Sequence, residues 1–266
     1  MATTVASPAL QRHSLVAQWH LFSLDAPCVA IVWTLFFARS FRVVLQPRTL
    51  CALGLVVWML YVADRIADGL RAGAHMEARH HFYAQHRTTF LIGLGIAAPI
   101  LAVLVIGLPA YLRTGWLVLG VPLAAYIAAV HGLRWRIRKE MVVAVIFAIA
   151  CAMPTLVSGV SGLHAAAGVA AFASLCWLNC IAIARWERRP AGALFPSLAA
   201  LTLAAASCAA LLSLWPLALA VALSTLTLLL LHRKGRELAA VDRRALADAA
   251  LLSPLLVLVV QAVTNR

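Results

Sequence analysis

The chain has 266 residues, of which 64% are hydrophobic, and its mean hydropathy is +0.94. Soluble globular domains are about 45–50% apolar, so this composition excludes a soluble fold and indicates a single membrane domain over residues 1–266. The net charge of +13 does not indicate a nucleic-acid-binding protein, because the Lys and Arg residues stand in short clusters between apolar runs. Anionic lipid headgroups or an anionic substrate are the partners that this charge favours.

Nine apolar segments are each long enough, at about 20 residues, to predict a helix that crosses the bilayer. In chain order the predicted spans are 22–38, 49–68, 88–108, 113–131, 140–158, 164–184, 193–212, 215–231 and 246–263. We expect no cleavable signal peptide, because the residues before the first span are mixed and polar. The six cysteines form no CxxC pair and are typical of buried thiols. The predicted fold class is an all-α, polytopic membrane helical bundle.

The distribution of basic residues predicts the orientation. With the N-terminus inside, seventeen of the 22 Lys and Arg lie on the cytoplasmic side and five lie outside. Cytoplasmic connections are enriched in Lys and Arg, so we expect the N-terminus inside and the C-terminus outside. All nine acidic residues also lie at or near the cytoplasmic side, although acids contribute little to orientation. We therefore expect an integral protein of a bacterial inner membrane with a polar site that faces the cytoplasm.

The segment Tyr61–Asp68, with the sequence YVADRIAD, ends the second predicted helix. Asp64 and Asp68 are four residues apart, which places both carboxylates on one face of a helix, one turn apart. Two acids at a helix C-terminus repel each other and oppose the helix dipole, so a positive partner is needed. Mg²⁺ is suited to this role, because it binds carboxylates together with substrate phosphates. The alternative is that these acids pair with Arg65 or Arg71.

Asn179 and Glu187 end the sixth predicted helix. They are separated by roughly 12 Å along the helix axis and by about 80° around it, so they could line one side of a groove. The alternative is that Glu187 pairs with Arg185 or Arg188 and that Asn179 bonds a neighbouring helix.

Basic residues gather before two predicted helices. Arg134, Arg136, Arg138 and Lys139 precede the fifth, and the histidine-rich segment 79–87 precedes the third. Such cations suit the several oxygens of a diphosphate, although topogenic charge alone would also explain them. The histidines lack the strict ligand spacing of a zinc site.

Two further acids, Asp25 and Asp248, are interpreted as structural or supporting residues. Asp25 lies early in the first predicted helix, and Asp242 and Asp248 lead into the last. An acid in the first turn of a helix is favoured by the helix dipole, which explains these positions without any catalytic role.

Taken together, these motifs resemble the UbiA superfamily of intramembrane prenyltransferases. The resemblance rests on the Tyr-x-x-Asp-Arg-x-x-Asp end of the second helix, the basic turn before the fifth and the polar end of the sixth. It extends over nearly the whole chain, because that family also has nine helices with the N-terminus inside. Members of the family bind an isoprenoid diphosphate through Mg²⁺ held by two acidic motifs, which lie on the helix 2 and helix 6 sides.

The resemblance implies a role for each matching residue. Asp64 and Asp68 would bind Mg²⁺ and act in catalysis, with Asn179 and Glu187 as metal ligands opposite them. Lys139 would act in catalysis by contacting the diphosphate. The implied diphosphate contacts are Tyr61, Arg65, Arg79, Arg134, Arg138 and Lys139.

The sequence departs from the family pattern in both motifs. Leu60 and Tyr61 stand where the family usually has Asn-Asp, and Asn179 and Glu187 stand where it usually has aspartates. The eight-residue spacing of Asn179 and Glu187 also resembles the Asn-Ser-Glu metal triad of class I terpene synthases, with Ile183 in place of Ser.

The function predicted is transfer of a prenyl group from an isoprenoid diphosphate to an aromatic or lipid acceptor. A terpene cyclase is the first alternative, since it would use the same diphosphate ionisation and capture the cation with the substrate's own double bonds. A non-catalytic membrane protein for binding or transport is the second. Release of diphosphate without an added acceptor would favour the cyclase. An Asp64→Ala substitution that leaves the activity or phenotype unchanged would favour the non-catalytic protein.

Overall fold

The computed structural model describes residues 15–71, 78–131, 139–160, 162–187 and 194–264. These residues form α-helices joined by short turns, with no β-strand among them. In chain order the helices of the described residues are α1 (Leu15–Leu21), α2 (Asp25–Ser40), α3 (Pro47–Arg71), α4 (Ala78–Gln85), α5 (Arg87–Ile106), α6 (Ala110–His131), α7 (Lys139–Leu156), α8 (Gly162–Trp186), α9 (Phe195–Leu211), α10 (Trp215–Lys234), α11 (Ala240–Ala250) and α12 (Pro254–Thr264).

The prediction of an all-helical chain is confirmed for the described residues, and the length and apolar composition of several helices support a membrane protein. Four described helices, α3, α5, α8 and α10, are long and apolar enough to cross a bilayer, and α11 with α12 adds a fifth if this bent pair is one span. The first eight predicted spans each coincide with one helix, with ends that agree within about three residues. Nevertheless, only four or five spans among the described helices, rather than nine, are long and apolar enough to cross a bilayer. For example, α2 and α9 have 16 and 17 residues, fewer than the roughly 20 that a straight span needs.

The prediction of one continuous ninth helix over 246–263 is wrong. The chain bends by 42° between α11 and α12, at Leu251–Ser253. Pro254 begins α12, where a proline has no backbone N–H to continue the hydrogen bonding of the preceding helix. Ser224 of α10 donates to the carbonyl of Ala250, and Ser253 donates to the carbonyl of Ala220, each at 2.7 Å. These hydroxyls satisfy backbone oxygens at the break, as apolar surroundings require.

The core lies around α2 and α8, which pack against each other and against the helices on both sides. The indole of Trp33 in α2 stacks on Phe172 in α8, with ring centroids 3.9 Å apart, and its Nε1 donates to the carbonyl of Leu251 at 2.7 Å. Gly168 in α8 lies close to its neighbours, because an added Cβ would come within 3.1 Å of Phe37 and 3.3 Å of Leu217. Small residues allow this close approach between helices within a membrane.

Two short helices that the sequence did not predict cover one end of the bundle. The first, α1, packs on α11, and the second, α4, packs on α3 and α5. The turn that follows α1 is joined to α4 by a hydrogen bond of 2.6 Å between Ser23 and Tyr83, and by an edge contact of Phe22 with Phe82 at 5.7 Å. Ser23 has a φ of 55°, so the chain turns sharply between α1 and α2. This turn directs the start of α2 toward the C-terminal end of α3.

Candidate functional site

A polar pocket of about 170 Å³ lies at this covered end of the bundle. It is enclosed by α1, the start of α2, the C-terminal halves of α3 and α8, α4 and α11. The lining residues are His20, Asp25, Tyr61, Asp64, Arg65, Tyr83, Asn179, Cys180, Ile183, Arg244 and Asp248. The pocket therefore joins polar side chains that come from the whole length of the chain.

The end of α3 supplies three of the predicted site residues. Tyr61, Asp64 and Arg65 all line the pocket, because residues three and four apart share one face of a helix. Asp64 is exposed, whereas Arg65 is half-buried. Asp68 follows one turn later in α3, but its side chain lies outside the described part of the structure, as do those of Arg79 and Lys139. Two predicted diphosphate contacts, Arg134 and Arg138, also fall outside the described residues.

The C-terminal half of α8 brings Asn179 into the same pocket. Asn179 is 6% exposed, and its Nδ2 donates to Oδ1 of Asp248 at 2.8 Å. Its Oδ1 is buried and has no hydrogen-bond partner among the described residues. A buried amide oxygen without a hydrogen-bond donor destabilises the folded protein, so this atom marks a position suited to a ligand.

Glu187, the second predicted ligand on α8, lies beside the pocket rather than on its surface. Its carboxylate contacts the guanidinium of Arg244 from α11, and the two side chains are 15% and 9% exposed respectively. Of these two residues, Arg244 is the one that lines the pocket. The ion pair therefore links α8 to α11 at the pocket wall.

A network of charged groups surrounds His20. Its Nδ1 lies 2.5 Å from Oδ2 of Asp25 and 3.6 Å from Oδ2 of Asp248. Arg65 reaches the same place, since its Nη1 donates to the carbonyl of His20 at 2.7 Å and its Nη2 lies 3.6 Å from Oδ2 of Asp25. Arg65 also lies over the ring of Tyr83, with 5.7 Å from Cζ to the ring centroid. Four elements, α1, α2, α3 and α11, are thus held together by charge at one point.

Burial and charge act in opposite directions on the imidazole. Burial alone would lower the pKa of His20, because it disfavours the charged form. The hydrogen bonds with Asp248 and Asp25 and the negative charge of Asp25 outweigh this effect, so the pKa of His20 is raised above 6.5. Burial raises the pKa of Tyr83, which keeps the phenol protonated beside Ser23.

Sequence reasoning missed His20 and interpreted Asp25 and Asp248 as structural or supporting residues. Each acid stands in or near the first turn of an apolar segment, where a helix dipole explains it without reference to any partner. The usable signal was the concentration of all nine acids at one side of the predicted bundle. That signal places Asp25 and Asp248 at the same end, but it predicts neither that they meet nor that His20 lies between them.

The α3 side of the pocket carries charged groups of both signs. Asp64 offers carboxylate oxygens that are exposed to the pocket, and Arg65 and Arg244 offer positive charge beside it. Mg²⁺ binds carboxylate oxygens and completes its shell with water and phosphate.

Comparison of this chain with protein-family models, with curated proteins and with solved structures gives no match. Membership of the UbiA superfamily stays a prediction that rests on the motifs alone.

Proposed function

We propose that this protein is a Mg²⁺-dependent intramembrane prenyltransferase that acts on an isoprenoid diphosphate. The observation that supports the proposal is that Tyr61, Asp64 and Arg65 of α3 share one pocket with Asn179 of α8. These residues belong to the two motifs that the sequence placed at the ends of the second and sixth predicted helices. The pocket lies at the end of apolar helices, so a diphosphate could bind there while its isoprenoid chain lies among apolar side chains.

The proposed chemistry assigns a role to each group. Asp64 and Asp68 would hold Mg²⁺, which when bound would stabilise the negative charge that develops on the departing diphosphate. Arg65 and Lys139 would bind diphosphate oxygens as guanidinium and ammonium donors. Tyr61 would contact the substrate beside them. The acceptor, aromatic or lipid, would then capture the allylic carbon as the bond to the diphosphate breaks.

The proposal includes nine membrane crossings, with the N-terminus inside and the C-terminus outside. The pocket would then open to the cytoplasm of a bacterial cell, where soluble isoprenoid diphosphates are available. Support for this orientation comes from the basic residues, of which seventeen lie on the proposed inner side.

Turnover by the purified chain tests the proposal. Geranyl, farnesyl and geranylgeranyl diphosphates are supplied with Mg²⁺ in nanodiscs, with and without a membrane-lipid extract, and diphosphate release and extractable products are followed. We expect release that requires Mg²⁺ and is lost in Asp64→Asn and Asp68→Asn variants. Glu237→Gln is the matched control, because Glu237 is an exposed acid near the same end of the bundle but does not line the pocket.

Whether diphosphate release requires the membrane-lipid extract distinguishes a prenyltransferase from a terpene cyclase. Release that requires the extract supports transfer, whereas release without it, accompanied by a cyclic hydrocarbon or alcohol, identifies a terpene cyclase. Absence of release from every substrate in a folded sample would refute the enzymatic proposal and favour a binding or transport protein.

A further inference from the structure

The deepest groups of the pocket differ in chemistry from those at the end of α3. His20, Asp25 and Asp248 each offer one ligand atom, and these atoms lie within 4.8 Å of one another. His20 is 4% exposed and Asp25 is 1% exposed, so the cluster is built into the protein rather than spread over its surface. Its members come from α1, α2 and α11, none of which belongs to the two motifs of the proposed prenyltransferase site.

The charges of the cluster call for a further positive group. Among the described Lys and Arg residues, Arg65 lies within ion-pair distance of this cluster, with its Nη2 3.6 Å from Oδ2 of Asp25. Arg244, the other basic residue of the pocket wall, contacts Glu187. Burying two carboxylates opposite one guanidinium is unfavourable unless another cation compensates. A proton, either on His20 or on one of the two carboxylates, or a metal ion between the three side chains would supply that positive charge.

Asn179 distinguishes these two possibilities. Its Nδ2 already donates to Asp248, which fixes the amide beside the cluster, and its Oδ1 has no donor among the described residues. A proton within the cluster would leave this oxygen without a partner where it now lies, whereas a metal ion beside it could take it as a ligand. We propose that the cluster binds a divalent first-row transition-metal ion through His20, Asp25, Asp248 and Asn179.

The donor types select the class of ion. An imidazole nitrogen favours Fe²⁺, Zn²⁺ and similar ions over Mg²⁺, while carboxylate and amide oxygens also suit Mn²⁺. A site of one nitrogen with three oxygens therefore discriminates against Mg²⁺, which the α3 side of the pocket suits better. The proposal does not rest on the proposed function, since metal binding here requires neither diphosphate nor turnover.

Mn²⁺ is the probe for this site, because its free and bound forms are separated by electron paramagnetic resonance. The full chain, purified in detergent and stripped with a chelator, is titrated with Mn²⁺ in a large excess of Mg²⁺. We expect one tightly bound Mn²⁺ per chain, and a loss of affinity of about tenfold or more in Asp248→Asn. Asp64→Asn, in the same pocket but outside the cluster, and Glu237→Gln should both keep wild-type affinity.

A second measurement on the wild-type chain guards against variants that fail to fold. Electron spin echo modulation should show one ¹⁴N coupled to the bound Mn²⁺, as expected for the imidazole of His20. Absence of that coupling, absence of Mg²⁺-resistant binding, or an equal loss of affinity in Asp64→Asn and Asp248→Asn would each overturn the proposal. Bound Mn²⁺ in a chain that turns over no substrate would keep this inference while removing the proposed function.

Discussion

The Glu187–Arg244 pair shows how strongly one side chain depends on its partner. A carboxylate that is 15% exposed lies against a guanidinium that is 9% exposed, so each charge is largely removed from water. The pair itself contributes little net stability, because desolvation offsets the attraction between the charges. Removal of one member is costly, however, because it removes the compensation for the charge that remains.

We therefore expect Arg244→Met to destabilise the protein by about 3–5 kcal/mol. The measurement is thermal unfolding in detergent. Arg243→Met is the matched control, because Arg243 lies over the ring of Trp186 at 5.1 Å and its cation–π contact contributes only about 0.5–2 kcal/mol. The double variant Arg244→Met/Glu187→Leu should recover much of the loss. A single variant as stable as the wild type would show that Glu187 does not depend on this guanidinium.

At the scale of helices, close approach between α2, α8 and α10 depends on Gly168. The side chains of Phe37 and Leu217 occupy the space next to it, because a Cβ added at Gly168 would lie 3.1 Å from Phe37 and 3.3 Å from Leu217. An alanine would require small shifts, which the better helix propensity of alanine partly offsets. A leucine has no room without separating the helices.

Gly168→Leu should lower stability by about 1–3 kcal/mol through overpacking. Gly120→Leu in α6 is the control, since an added Cβ there meets nothing within 4 Å in the chain. Both variants are compared with the wild type by thermal unfolding in the same detergent. Equal stability of the two variants would contradict the packing described for α8.

Two serine hydroxyls stabilise the break between α11 and α12. Ser224→Ala/Ser253→Ala removes the hydrogen bonds to Ala220 and Ala250 and should cost about 1–2 kcal/mol, because such bonds average about 0.6 kcal/mol each in membrane proteins. Ser207→Ala is the control, since Ser207 bonds only within its own helix, to Leu203. Thermal unfolding is again the measurement. A double variant no less stable than Ser207→Ala would refute a structural role for the hydroxyls.

For the whole molecule, the predicted orientation determines on which side of the membrane the pocket opens. Ser158 follows α7 and Glu237 follows α10, so the two positions lie at opposite ends of the bundle, and both are exposed. In a background with exposed Cys51 and Cys208 replaced by serine, an impermeant maleimide added to intact cells should label Ser158→Cys and spare Glu237→Cys. The opposite pattern would reverse the orientation and place the pocket outside the cell.

Much of this architecture could be predicted from apolar runs alone, because a helix in a membrane is specified by local composition. The same reasoning found Asp64, Arg65 and Asn179, whose positions at helix ends are visible along the chain. The meeting of His20 with Asp248 could not be predicted, since it depends on how the first and last helices pack. The bend at Leu251–Ser253 was also missed, because serine and proline within an apolar run are compatible with a continuous transmembrane helix.

The pairing of the earliest and latest helices has a consequence for biosynthesis. Trp33 and Leu251 are hydrogen-bonded although they are 218 residues apart in the chain, and His20 meets Asp248 nearby. At about 5–20 residues per second, a ribosome needs roughly 10–40 seconds to add that length. During this interval α1 and α2 lack their final neighbour, and Asp25 has only His20 and Arg65 as charged partners. The buried contacts that join α1 and α2 to α11 therefore form only after nearly the whole chain has been synthesised.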